Sequence, residues 1–174
     1  MMSDETIHIK DLHKPLRGSV VSVSLDFLKM ELDRGYDLDP DFQRDHVWTD
    51  EQASEFVGFI LEGGRTGQPI VVNTRRYEDE GIKIVVDGKQ RLTSLLRWLD
   101  GEIPAILCDG RQIYRDDIEG RLSRVDLSFL RVNMTRDEML AYYIKTNSGG
   151  TVHSEDEIER VRQLLQNTEE NDDE

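Results

Sequence analysis

The residues with the most chemical potential in this chain are Asp87-Gly88-Lys89-Gln90-Arg91. They follow the β-branched run Ile82–Val86 and precede Leu92, Leu95, Leu96 and Leu99, which recur at helical spacing. The pattern predicts a strand that turns sharply into a helix. The first N–H groups of a helix lack intrahelical partners and sit at the positive end of its dipole. A glycine there lets a ligand approach the backbone, and an arginine one turn in adds a bidentate grip. The chemistry expected is anion binding, with phosphate the natural anion.

Two further segments have the same character. Pro40-Asp41-Phe42-Gln43-Arg44-Asp45-His46-Val47-Trp48 is a polar loop with a second Gln-Arg pair and two aromatics. Thr146-Asn147-Ser148-Gly149-Gly150-Thr151 is a small, glycine-paired loop between two helical stretches. Together these three segments resemble the N-terminal domain of GmrSD-type DNA restriction enzymes, within the ParB/sulfiredoxin-like superfamily. That family carries a Gln-Arg-x-x-x-Trp segment, a strand ending in Asp-Gly-Gln-Gln-Arg, and an Asn-x-Gly-Gly loop. Here they stand, in order, as Gln43–Trp48, Asp87–Arg91 and Asn147–Gly150, across a region from about Ser19 to Val161. Lys89 replaces the family's first glutamine, adding charge where the motif has an acceptor.

The resemblance implies one pocket that binds an NTP with Mg²⁺, without distinguishing ATP, GTP, CTP or UTP. Lys89 and Arg91 would hold the β- and γ-phosphates, supported by Gly88. Arg44 would neutralise charge on the transferred phosphoryl group. Gln43 or Gln90 would orient a water or hydroxyl. Asp87 would meet Mg²⁺ through water or accept from nearby amides and fix the turn. Asn147, Gly149 and Gly150 would close over the nucleotide. His46 and Asp45 are the candidate acid–base groups. Arg91, as a helix-surface side chain, is expected to matter for affinity and little for the fold. Trp48 and Phe42 are expected to anchor the loop in the core.

At 174 residues the chain is long enough to build a full core, and 37% apolar against 33% charged residues indicates a polar globular domain. No apolar run approaches a membrane span, and the N-terminal residues lack a signal-peptide layout. A cytoplasmic place in a bacterial or phage-infected cell is therefore expected, with no membrane partner. The single cysteine, Cys108, follows Ile106-Leu107 and is expected at the edge of the core in a reducing compartment. His8, His13 and His153 share no metal-ligand spacing with it, so no structural zinc is expected. The formal charge is −14, which opposes whole-body binding to nucleic acid. Nine carboxylates against Arg160 and Arg162 place half of that charge after Ser154.

Residues 1–18 form a polar lead-in, with a short strand expected at Thr6–Ile9. Residues 19–166 form the domain, and 167–174 an acidic tail expected to be disordered. Strands are expected at Ser19–Ser24, Ile70–Thr74, Ile82–Val86, Ile103–Leu107 and Leu127–Val132. A polar turn at Glu78–Gly81 would join the second and third. Helices are expected after caps at Ser24, Thr49, Thr135 and Ser154, and at Lys89–Leu99. Periodicity alone indicates an α+β domain with one layer of sheet and about five helices; the resemblance makes it a ParB/sulfiredoxin-like domain with a mixed sheet.

The leading expectation is an NTPase or NTP-dependent phosphotransferase (a kinase) in DNA restriction, DNA modification or phage counter-defence. DNA would be a substrate or regulator, and a separate nuclease or defence protein a partner. One alternative is a non-catalytic acidic interaction module, in the extreme a nucleic-acid mimic, that binds a defence protein. A second is a DNA-nicking enzyme, opposed by the charge and by the absence of a His-Asn-His pattern.

Overall fold

The computed structural model describes residues 16–43, 47–75, 82–147 and 159–166. The expected strand at Thr6–Ile9, the turn at Glu78–Gly81, the Ser154 cap and the acidic tail lie outside these residues. So do Arg44, Asp45, His46, Gly149, Gly150 and the histidines His8, His13 and His153.

The strands are β1 (Gly18–Ser24), β2 (Tyr36–Asp37), β3 (Ile70–Asn73), β4 (Lys83–Asp87), β5 (Ala105–Ile106), β6 (Gln112–Ile113) and β7 (Asp126–Val132). The helices are α1 (Leu28–Leu32), α2 (Asp50–Leu61), α3 (Lys89–Leu99), α4 (Arg136–Asn147) and a final segment, α5, over 159–166. Five strands form one mixed sheet in the order β1-β7-β3-β4-β2, and β5 and β6 form a separate hairpin. The class is mixed α+β, as expected.

Strand alternation explains how the sheet acquires cover on both faces. Leu127, Phe129, Ile70, Val72 and Val85 join Leu28, Val57, Leu92, Leu95 and Trp98 in one cluster, under α1, α2 and α3. The intervening residues Val132, Val71 and Val86 join Phe42, Met139, Leu140, Tyr143 and Val161 in a second, under α4 and α5. The hairpin docks on the first layer: the Trp98 indole donates to the Ile113 carbonyl at 3.0 Å. Gly58 makes room for it, since a Cβ there would lie 1.8 Å from the Ile106 carbonyl oxygen.

Local signals hold where both partners are close in sequence. Thr49 and Gln52 form the reciprocal capping box of α2, and Thr135 and Glu138 exchange the same pair of bonds before α4. Two expectations fail. The chain enters α1 through a 3₁₀ turn over Leu25–Phe27, and Ser24 makes no side-chain cap; its Oγ is buried without a partner. Cys108 is exposed. The strand before it ends at Ile106 rather than Leu107, so the chain is already turning outward towards Asp109-Gly110. A hydrogen bond with Glu62 pushes the Cys108 thiol up.

Candidate functional site

Strand β4 ends at Asp87, between two strands of the sheet, and α3 begins two residues later. Gly88 makes this reversal with φ +105°, which a residue with a side chain rarely adopts. A Cβ there would also lie 2.6 Å from Ile70 Cδ1 and 3.3 Å from an Arg91 Nη. The glycine is thus demanded by the protein's own packing, and not only by a ligand's approach. Leu92 N–H then donates to the Gly88 carbonyl at 2.9 Å to close the first helical turn, and no side chain caps the helix.

A cavity of about 220 Å³ opens beside this turn. Its wall includes Asp87, Gly88, Lys89, Gln90 and Arg91, together with Gln43 from the first polar loop and Asn147 from the end of α4. Every motif residue that the structure describes is therefore at one place. Trp48 and Tyr143 complete the wall with aromatic surface.

Most of the polar side chains here also tie the domain together. Gln43 donates to the Val85 carbonyl from its side chain, and its own carbonyl accepts from Arg160 at 3.3 Å. Gln90 Oε1 accepts from the amides of Val47 and Trp48, at 3.0 and 3.3 Å, so the helix start holds the returning end of the first loop. Lys89 pairs with the exposed carboxylate of Asp39. Asn147 donates to the Tyr143 carbonyl at 2.8 Å, within its own helix.

Arg91 is more deeply engaged than a helix-surface arginine. It donates to the Gln68 carbonyl at 2.5 Å, the Pro69 carbonyl at 3.3 Å and Asp87 Oδ2 at 3.1 Å. Its side chain is only 14% exposed. Three of the five donors of a guanidinium are thus spent on the turn before β3 and on the carboxylate one helical turn back. The side chain is fixed in orientation at the cavity wall, and it contributes to the fold as well as to any ligand.

Of the aromatic wall, Trp48 belongs to the first motif, whereas Tyr143 reaches the cavity through the packing of α4. Trp48 is half-buried, edge-on to Phe56 with ring centroids 5.3 Å apart, and one side faces the cavity. Phe42, by contrast, is fully buried and packs edge-on against Tyr143 at 5.2 Å. Tyr142 was not singled out by its spacing, yet its hydroxyl feels the site. Burial raises its pKa, Asp87 raises it further, and Arg91 opposes. Only the adjacency of Tyr142 to Tyr143 in the helix preceding the Asn-x-Gly-Gly loop could have drawn attention to it.

Among the described residues no group of three His, Cys, Asp or Glu is placed to hold a metal ion. Asp87 is the carboxylate at the cavity, and one of its oxygens is taken by Arg91. That donor set fits a Mg²⁺ ion that arrives on phosphates, because Mg²⁺ is commonly held by one or two carboxylates plus substrate oxygens and water.

Comparison with known proteins identifies the family of the chain. No curated protein matches the sequence. Similar solved structures include the C-terminally truncated chromosome-partitioning protein ParB from Caulobacter crescentus complexed with CTP-gamma-S. It is 14% identical with a TM-score of 0.45, over 78% of this chain and 56% of that one. Another is the Pnob8-like ParB-N domain, 13% identical with a TM-score of 0.44, over 88% of this chain and 46% of that one. The present chain thus spans about half the length of these proteins. The family model for the GmrSD restriction endonuclease N-terminal domain matches residues 25–174. That range includes Gln43, Asp87–Arg91 and Asn147, and the chain belongs to the family of GmrSD N-terminal domains.

Proposed function

We propose that the cavity beside the Asp87-Gly88 turn binds an NTP with Mg²⁺, and that the domain hydrolyses it or transfers its phosphoryl group in DNA restriction or modification. The observation that carries this reading is the convergence of Gln43, Asp87–Arg91 and Asn147 on one cavity. These residues come from three separate segments, in a chain whose family is that of a restriction enzyme.

Each group has a definable part. Lys89 pairs with Asp39, whose side chain is 73% exposed. Its ammonium lies at the cavity wall, where a polyphosphate would compete with Asp39 for it. Arg91 has two donors left beyond its ties to Gln68, Pro69 and Asp87, and those ties preorient it towards charge that develops on a phosphoryl group. Asp87 would supply the protein's oxygen to the hydrated ion; the ion itself supplies charge neutralisation between phosphate oxygens. Trp48 and Tyr143 offer apolar faces for the base or sugar. Arg44 keeps its assignment as the second arginine of the reaction, and His46 or Asp45 that of the acid–base group.

The test is nucleotide affinity and phosphate release with Mg²⁺ for ATP, GTP, CTP and UTP. Saturable binding with turnover of at least one NTP is expected. Binding without turnover removes the catalytic half of the proposal, and no binding of any NTP removes all of it.

A second reading rests on a specific observation: Gln43, Lys89, Gln90 and Arg91 all bond within the protein. Such a network also suits a non-catalytic module that presents an acidic surface to a defence protein. That reading requires that no NTP be turned over and that a partner be retained when Arg91 is replaced.

A further inference from the structure

A second cavity, of about 330 Å³, lies between the turn that ends α2 and the end of the β1–β7 pair. It shares no lining residue with the first. Ile60, Val125 and Leu127 supply its apolar surface, while Arg65, Thr66, Arg124, Ser22, Ser128 and Asp126 supply its polar groups. Ser22 and Ser128 are directly opposed across the strands, so their side chains share a face.

The two arginines stand together in one cavity of an acidic chain. Acidic residues outnumber basic ones by 36 to 22, and several of the other cations are paired. Lys29 meets Asp100, Arg97 meets Asp50 and Glu102, Arg136 meets Asp41, and Arg131 meets Glu31. Among the described residues, Arg65 and Arg124 take part in no such pair. Both are exposed, and the one carboxylate of the same cavity, Asp126, leaves the lining with a net positive charge. In a strongly acidic molecule, two unneutralised guanidiniums in one hydroxyl-lined cavity are a local reversal of charge.

We propose that this cavity is a second anion site that takes a phosphate group, separate from the nucleotide cavity. Guanidinium planes match phosphate oxygens, and the hydroxyls of Ser22 and Ser128 add neutral donors at their sides. The phosphate belongs either to a nucleic-acid backbone or to a small free polyphosphate. The site lies close in the chain to the first one: the Gln68 carbonyl accepts from Thr66 Oγ at 3.0 Å and from Arg91 at 2.5 Å.

The test uses the whole chain and two probes, a fluorescein-labelled single-stranded oligonucleotide and sodium pyrophosphate. The parent should bind at least one of them, and Arg65→Ala/Arg124→Ala should weaken that binding by about tenfold or more. Arg65→Lys/Arg124→Lys should retain part of it. For the oligonucleotide, loss of two phosphate contacts should reduce the slope of log affinity against log salt by on the order of 1.4. Arginine-dependent binding of the oligonucleotide alone assigns the phosphate to a nucleic-acid backbone; arginine-dependent binding of pyrophosphate assigns it to a free polyphosphate. NTP affinity at the first cavity should be unchanged in the alanine variant, which separates this proposal from the nucleotide reading. Amide shifts of the parent at 63–66 and 124–128 on titration give a readout that does not depend on how the variants fold. The proposal is overturned if neither probe binds or moves these amides, or if parent and alanine variant bind alike.

Discussion

Arg91 is the residue at which stability and recognition meet. Its contacts with Gln68, Pro69 and Asp87 join α3 to the turn before β3. A hydrogen bond to a charged group contributes about 1.5–3 kcal/mol, so Arg91→Ala should lower unfolding stability in urea by about 2 kcal/mol as well as weakening NTP affinity at least tenfold. Arg91→Lys should recover only part of either, because an ammonium cannot make the same set of planar contacts. A variant with unchanged urea midpoint would show that the contacts to Gln68 and Pro69 contribute nothing net. Tyr142 provides a second test at this scale. Its hydroxyl titrates above the ordinary tyrosine value through burial and through the negative charge of Asp87. Asp87→Asn removes that charge and leaves Arg91, so the Tyr142 pKa should move down, as followed by tyrosinate absorbance. Movement upward or none would place Asp87 out of reach of the hydroxyl.

At the scale of elements, a buried charge holds the sheet and α1 together. Glu31, only 6% exposed, accepts from the Tyr36 hydroxyl and an Arg131 Nη at 2.6 Å each, and from Arg34 at 3.0 Å, with Lys83 at 3.7 Å. Burial alone would raise its pKa, but the Tyr36 hydroxyl and the charges of Lys83, Arg131 and Arg34 outweigh it and bring the net value down. The unfolded chain therefore takes up a proton before the folded one. This contribution to stability is complete above the ordinary value of 4.5 and is lost as pH falls through the lowered one. Tyr36 behaves in the opposite sense. Burial, together with its bond to Glu31, pushes it up to about 12, so its contribution is complete below 10.0 and is lost as pH rises towards 12. Glu31→Ala should cost about 1–3 kcal/mol, because it leaves the Tyr36 hydroxyl and the part-buried Arg131 without their acceptor, and should flatten the acid limb of the stability curve. An unchanged acid limb would contradict the assignment. Gly88→Ala and Gly58→Ala probe backbone approach instead. The first imposes a positive φ and a contact with Ile70, and the second a collision with the Ile106 carbonyl. Circular dichroism and thermal melting should show both strongly destabilised, and the hairpin in particular released by the second.

At the scale of the molecule, what could be read from the sequence was what is local. The capping boxes at Thr49 and Thr135, and the β4–α3 turn, depend on partners within four residues, and these elements form where their residues predict. The strand order does not work this way. β1 lies beside β7, more than a hundred residues later, and β7 pairs in parallel with β3. No short-range pattern encodes that pairing. Glu31 is a partial example: it lies at helical spacing with Leu28 and Leu32, and Arg34 and Tyr36 follow it within five residues, but Lys83 and Arg131 reach it from β4 and β7. The site divides similarly. The order of three motifs pointed to Gln43, Trp48, Asp87–Arg91 and Asn147, whereas Tyr143 emerges at the cavity only through packing of α4 on the sheet. No helix among the described residues is long and apolar enough to cross a membrane.

The central claim is that the cavity beside Gly88 is where a nucleotide binds. A map of amide and indole NMR shifts during titration with each Mg²⁺–NTP tests it most directly. The account predicts saturable shifts for at least one NTP, concentrated at Gly88, Gln90, Arg91, Asn147 and the Trp48 indole. Shifts that saturate only elsewhere, at Arg65 and Arg124 for example, with these residues unmoved, or the absence of saturable shifts with all four, would contradict it.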